Sequence, residues 1–219
     1  MLTLHYHPFS SYCQKVLIAL YERDVPFTPH LVDLGDADAR AAFEMIWPLR
    51  RFPVLVDDET GRTIPESSVI IEYLDLYRPG PPPLLPADPV EALEVRMWDR
   101  LFDNYVQTPM QRIVGDRLRP ADARDPYGVE EARTLLAGSY RMLEERLAGR
   151  AWAAGDAFTM ADCAAAPALF YADWVLPFRD DHPVLASYFA RLLARPSFAR
   201  AVEEARPWRK HFPGGAPEA

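Results

Sequence analysis

Cysteine is nearly missing from this 219-residue chain: Cys13 and Cys163 are its two, too few for a disulfide framework, and their wide separation suits a reducing compartment where thiols stay free. Positive charge is also in deficit. Against 32 Asp and Glu stand 24 Lys and Arg, a net charge of -8, which repels phosphate backbones and anionic lipid. No basic patch beyond isolated Arg pairs offsets it, so neither nucleic acid nor a membrane surface is an expected partner. Long apolar runs are lacking too: Val16 to Leu20 and Ala164 to Tyr171 fall well short of the roughly 20 residues a bilayer crossing requires. The opening residues Met1 to Tyr6 alternate like a strand and carry no basic start or small-residue cleavage site, so a cytoplasmic location is expected.

What is present is the composition of an ordinary globular chain, 49% apolar and 26% charged, long enough for one large or two modest domains. The first third alternates element types. A strand-like start is followed by a helical pattern from about Tyr12 to Arg23, a strand around Phe27 to Leu34 and a helical stretch near Ala37 to Met45. Then come the strand Val54 to Asp57, a turn at Gly61, a short segment Thr63 to Pro65, and a helix through Val69 to Leu74. The order is βαβαββα. The prolines between Arg78 and Pro86 fix φ and lack N–H donors, so this stretch reads as an interdomain linker.

Beyond Pro89 the strand signals fade, and apolar residues recur at three- and four-residue steps, as at Val95, Trp98, Leu101, Phe102 and Tyr105, and again from Leu135 to Leu147. Breaks fall at Pro120 to Pro126, Gly149 to Gly155, Pro183 and Pro196. The expected architecture is α/β plus all-α: residues 1–78 as the first domain, 79–89 as linker and 90–219 as an all-helical domain. The Pro213–Pro217 tail reads as frayed.

Three short segments carry chemistry. Ser10 and Ser11 lie where the first strand gives way to the first helix, a place where unpaired N–H groups and the helix dipole favour negative charge. Ser10 and Cys13 have the spacing of a Cys-x-x-Cys redox site with serine at the nucleophile's position. A hydroxyl forms no disulfide, which leaves hydrogen-bond donation to a bound thiol, or helix capping by either serine. Cys13 reads as a packing residue. Phe52-Pro53 opens a strand, where proline implies either a cis peptide or a trans residue starting an edge strand; the residues alone favour the edge strand. Glu66-Ser67 opens a helix and combines a carboxylate for an ammonium with an N–H and hydroxyl for a carboxylate, or else a simple N-cap. His5-x-His7 lacks a third ligand, so no metal is expected.

Together these segments resemble the cytosolic glutathione transferase family across nearly the whole chain. His7-Pro8-Phe9-Ser10 with Lys15-Val16 is similar to the serine-type classes; the resemblance implies a thioredoxin-like first domain and makes Ser10 the residue that activates the glutathione thiol. Phe52-Pro53 then corresponds to the cis-proline segment whose preceding backbone pairs with the cysteinyl part. Glu66-Ser67 would hold the γ-glutamyl end and Arg51 would reach the glycine carboxylate. Gly155 to Asp162 is similar to the family's second-domain motif, physically a capping box of Thr159 and Asp162 assigned to folding. Arg50 stands where the commoner family pattern has glycine, which changes the loop beside the tripeptide and leaves the class open among zeta-like, tau-like and other bacterial groups.

The implied chemistry is nucleophilic transfer of glutathione to an apolar electrophile, a detoxification reaction, with Phe9, Tyr12, Tyr105, Met110 and Trp174 as expected pocket walls. Glutathione-dependent isomerisation or peroxide reduction, and a non-catalytic binding or regulatory protein of the same fold, are the alternatives. The resemblance also implies a homodimer.

Overall fold

The computed structural model describes residues 1–78, 80 and 82–217; Pro79 and Pro81 of the expected linker lie outside them, as do Glu218 and Ala219. Four strands, β1 (Leu2–Tyr6), β2 (Thr28–Leu31), β3 (Val54–Asp57) and β4 (Arg62–Pro65), form one sheet in the order β2-β1-β3-β4. β1 and β2 run parallel, and β3 lies antiparallel to both β1 and β4. β2 is exposed at every residue, as an edge strand carrying Pro29 can be, and is shorter than its apolar flanks imply.

Helix α1 (Ser11–Glu22) is apolar around most of its circumference because it is covered on two sides. Val16, Leu17 and Leu20 pack with Leu2, Leu4 and Leu55 of the sheet, whereas Ile18 and Ala19 enter the core of the helical half of the molecule. α2 (Ala37–Ile46) covers the sheet's other face through Phe43, which meets Val32 and Val54. α3 (Ser67–Tyr77) follows β4. The sequence order βαβαββα is thus the observed one.

Phe52-Pro53 is a cis peptide, and β3 is an interior strand between β1 and β4, so the trans edge-strand reading is overturned. β3 begins one residue after the proline, which therefore occupies no ladder position.

The helical half comprises α4 (Pro89–Leu101), α5 (Thr108–Arg117), α6 (Pro126–Arg146), α7 (Met160–Val175), α8 (Pro183–Leu193) and α9 (Pro196–Ala205). Pro89, Pro126, Pro183 and Pro196 each sit in a first helical turn, where a missing N–H is harmless. α4 runs into α5 through a π-helical segment, Phe102–Gln107. The extra residue shifts the helix face: Phe102 and Val106 are buried and Tyr105 is turned outward, so the three-residue step expected from Phe102 to Tyr105 fails there.

In the first turn of α7 the Asp162 carboxylate is fully buried. It accepts from the N–H of Ala153 at 2.9 Å, the N–H of Thr159 at 2.8 Å and the Tyr188 hydroxyl at 2.7 Å, closing the capping box with Thr159. The tail differs from expectation. After a 3-10 turn, Arg206–His211, Phe212 is buried against Phe9, Tyr171 and Trp174. Arg117 donates to the Pro213 carbonyl at 2.9 Å, and Ala216 packs on the helical core. A buried aromatic anchor and a backbone clamp hold the segment that composition alone marks as frayed.

Candidate active site

The turn after β1 places the first site residue. Ser10 N–H donates to the His7 carbonyl at 3.0 Å, a turn with Pro8 at its second position, where the ring's fixed φ suits it. Ser10 is then the N-cap of α1, and its Oγ accepts from Cys13 N–H at 3.4 Å. That long bond occupies one acceptor site and leaves the hydroxyl hydrogen free to donate, so capping and thiol activation are compatible in one side chain. Ser11 is buried and its Oγ is engaged by the Gln107 amide at 2.5 Å. Cys13 lies beneath the turn with no exposure, and burial pushes its thiol up to about 12.

Two cavities meet at this turn. The first, of about 540 Å³, is lined by Ser10, Tyr12, Arg50, Arg51, Phe52, Pro53, Glu66 and Ser67 from the sheet domain and by Arg100, Asp103, Asn104 and Gln111 from the helical half. The second, of about 470 Å³, lies between His7, Phe9, Ser10, Ser11 and the side chains of Met110, Val114, Leu118, Tyr171 and Phe212. Ser10, Arg51, Phe52 and Gln111 belong to both walls.

The first cavity is polar, with Arg50, Arg51 and Arg100 and the carboxylates of Glu66 and Asp103 on its wall. The N-termini of α1 and α3 both open on it, each adding partial positive charge. The N-cap of α3 is Glu66, held at φ 69° with no side-chain cap bond, so the first-turn N–H groups of α3 have no competing carboxylate from the cap. Such a φ is unusual for a residue with a Cβ and marks a constrained position. Arg50 also has positive φ, 52°: this arginine adopts the left-handed conformation that glycine would take easily while adding a cation to the wall. Neither backbone group of Phe52 takes part in a backbone hydrogen bond outside the regular elements among the described residues.

Beneath this cavity lies a buried ion cluster that joins the two halves of the chain. Lys15 Nζ, 1% exposed, is 2.6 Å from Asp99 and 2.8 Å from Asp103, and donates to Ser68 Oγ at 2.9 Å. Ser68 donates to Asp99 at 2.8 Å, and Arg100 at the mouth contacts Asp99, Asp103 and Ser68. Burial pushes the Asp103 carboxyl up despite the opposing Lys15 charge. Tyr12, next to this cluster, is raised to about 12 by burial and then by Asp103, so its phenol stays protonated.

Among the expected electrophile contacts, the structure brings Phe9 and Met110 to the second cavity and Tyr12 to the first. Tyr105 lines neither, because the π-helical segment directs it outward. Trp174 stands behind Phe9 and Phe212, at 6.4 and 4.8 Å between ring centroids, outside both linings. Sequence reading missed Arg100, Asp103, Gln107, Gln111, Tyr171, His211 and Phe212. Apart from helical periodicity they carry no signal, since their approach depends on how α4, α5 and the tail pack. Among the described residues no group of three or more His, Cys, Asp or Glu is placed to hold a metal ion, and no helix is long and apolar enough to cross a membrane.

A four-stranded thioredoxin-like domain with a cis-proline and a serine at the first helix N-terminus, packed against an all-helical half, defines the architecture of the chain. Residues 4–82 match the glutathione S-transferase N-terminal domain model and residues 103–196 the C-terminal one. The chain belongs to the glutathione transferase family.

A solved glutathione S-transferase from Methylobacterium radiotolerans in complex with glutathione sulfonate is 33% identical, superposes with a TM-score of 0.81, and covers 92% of this chain and 94% of its own. FtsZ-localized protein A of Caulobacter vibrioides is 30% identical over 99% of this chain and 95% of its own length. Maleylacetoacetate isomerase of Rattus norvegicus is 29% identical over 88% of both.

Proposed function

We propose that this protein is a glutathione transferase in which Ser10 donates its hydroxyl hydrogen to the glutathione thiolate. The observation that carries the reading is the position of Ser10 on the shared wall of a polar and a largely apolar cavity. A tripeptide with two carboxylates and an ammonium suits the polar side. Ser67 and the α3 N-terminus take the γ-glutamyl carboxylate, Glu66 the ammonium, the Phe52 backbone the cysteinyl unit ahead of Pro53, and Arg51 the glycine carboxylate. An apolar electrophile enters the second cavity between Phe9 and Met110. Tyr12 belongs with the glutathione side, and Tyr105 and Trp174 are withdrawn as direct contacts.

A free thiol with pKa near 8.5 is only a few per cent ionised at neutral pH; one hydrogen bond and a helix N-terminus lower it by about one to two units. The bound thiol then becomes mostly thiolate, held beside the reacting partner. In this reading residues 1–78 bind glutathione, 79–89 link, and 90–219 bind the electrophile and support dimerisation in a cytoplasmic protein. A homodimer is favoured by the exposed apolar stripe of Val69 and Leu76 on α3 with Val90, Leu93 and Met97 on α4.

Two relatives support other uses of the same site. The likeness to maleylacetoacetate isomerase favours a reaction in which glutathione adds and is later expelled. That to FtsZ-localized protein A favours a non-catalytic binding protein. Turnover of glutathione with an electrophile, compared between wild type and Ser10→Ala, separates them. The transferase reading expects loss of turnover with little change in glutathione affinity; recovery of the free thiol with an isomerised product marks the isomerase, and glutathione binding without turnover in either protein marks the binding protein.

A further inference from the structure

His7 is the one ionisable side chain of the first domain's turn that the proposed thiol activation leaves unused, and it lines the second cavity together with Ser10. Its ring is fixed. Phe9 N–H donates to Nδ1 at 3.2 Å, Trp208 meets the ring edge-to-face at 4.5 Å, and Phe52 stacks at 6.1 Å. An N–H can be accepted only by an unprotonated Nδ1, so the neutral ring carries its hydrogen on Nε2. Nε2 has no hydrogen-bond partner among the described residues. Burial is the largest influence on its charge and lowers the pKa; Asp33 favours the cation and His211 opposes it, so burial together with His211 outweighs Asp33 and holds the pKa below the ordinary histidine value. The Phe9 N–H opposes the cation as well, because it faces the nitrogen that would have to be protonated.

A neutral N–H donor three residues from the thiol-activating serine, in a largely apolar cavity, is placed to meet charge that develops on the second substrate. We infer that His7 is a further catalytic residue, whose Nε2–H donates to the carbonyl oxygen when the electrophile is an α,β-unsaturated ketone. The inference rests on the transferase reading of the site. Glutathione loses its thiol proton to solvent on binding; the thiolate then forms a C–S bond to the β-carbon, the C=C π bond breaks, and its electron pair moves through the carbonyl to leave an enolate oxygen. His7 stabilises that oxygen by hydrogen bonding and keeps its proton. Water protonates the α-carbon, which restores the carbonyl and balances the proton released from the thiol.

The test compares two electrophiles in wild type, His7→Phe and His7→Asn. One is trans-4-phenyl-3-buten-2-one, whose oxygen gains charge; the other is benzyl chloride, whose departing chloride takes the charge instead. Asparagine keeps an acceptor for the Phe9 N–H, as in an Asx turn, but not the reach of an imidazole, so it separates loss of the donor from loss of the turn. Loss of one donor to a developing oxyanion lowers the rate by on the order of 100-fold. Both variants are expected to lose that much kcat/KM with the enone and less than about threefold with benzyl chloride, with the ultraviolet band of bound glutathione thiolate unchanged. An equal fall with both electrophiles, no fall with the enone, or wild-type turnover of benzyl chloride without the enone overturns the inference. A missing thiolate band in wild type instead overturns the reading on which it rests.

Discussion

Replacing Lys15 by Met removes the only cation fully inside the cluster that joins the two halves of the molecule. Asp99 and Asp103 remain buried, 2.6 and 2.8 Å from where the ammonium stood, and Arg100, half exposed at the mouth, is left as their only cationic contact among the described residues. Breaking a buried ion pair from one side destabilises by about 3–5 kcal/mol, because a charge is stranded in low dielectric. With a urea dependence of about 3 kcal/mol per M, the unfolding midpoint should fall by about 1–1.7 M at pH 8.

The loss should depend on pH with a definite sign. Burial raises the Asp103 carboxyl above its ordinary value. A group whose folded-state pKa is raised contributes stability that is complete below the unfolded value and is lost as pH rises through the folded one. Without Lys15 the rise is larger, so the variant's deficit should be widest at pH 8 and narrow by pH 5. Urea titrations of both proteins at the two pH values measure this directly. A midpoint unchanged at pH 8, or a deficit that widens on acidification, refutes the assignment of Lys15 as counter-ion to the pair.

Asp162→Ala strands four buried donors, the N–H groups of Ala153 and Thr159 and the hydroxyls of Thr159 and Tyr188; at about 1 kcal/mol or more for each, thermal unfolding should fall by about 8–16 °C, with Asp162→Asn less affected. Leu93→Glu places a charge in the exposed α3–α4 stripe and should convert a dimer to a monomer in sedimentation velocity while leaving the far-ultraviolet dichroism intact.

Much of the fold is legible in the sequence because its signals are local. Alternation marks β1, a short apolar run marks β3, the breaks at prolines 126, 183 and 196 fall where helices begin, and Thr159 with Asp162 marks the box that opens α7. The cis peptide is less so: a proline before an apolar strand is compatible with an edge, and only the sheet order places β3 inside. For the candidate site, Ser10, Phe52-Pro53 and Glu66-Ser67 are legible as segments at element junctions, where the backbone itself supplies the chemistry. Side chains from the helical half are not. The π-helical segment moves Tyr105 off the expected face and sets Asp103, Asn104 and Gln107 toward the site, and a one-residue change in helical register leaves no mark in apolar spacing. The role of Phe212 is hidden for a different reason: an isolated aromatic before a Gly-Pro-rich tail gives no sign of the pocket that receives it.

In the proposed function Ser10 turns a bound thiol into a thiolate at the meeting point of two cavities. Ultraviolet difference titration of bound glutathione against pH, in wild type and Ser10→Ala, tests it most directly. A thiolate band is expected in wild type with a midpoint about one to two units below that of free glutathione, and a midpoint near the free value in the variant. Glutathione bound with the same midpoint in both proteins would contradict it.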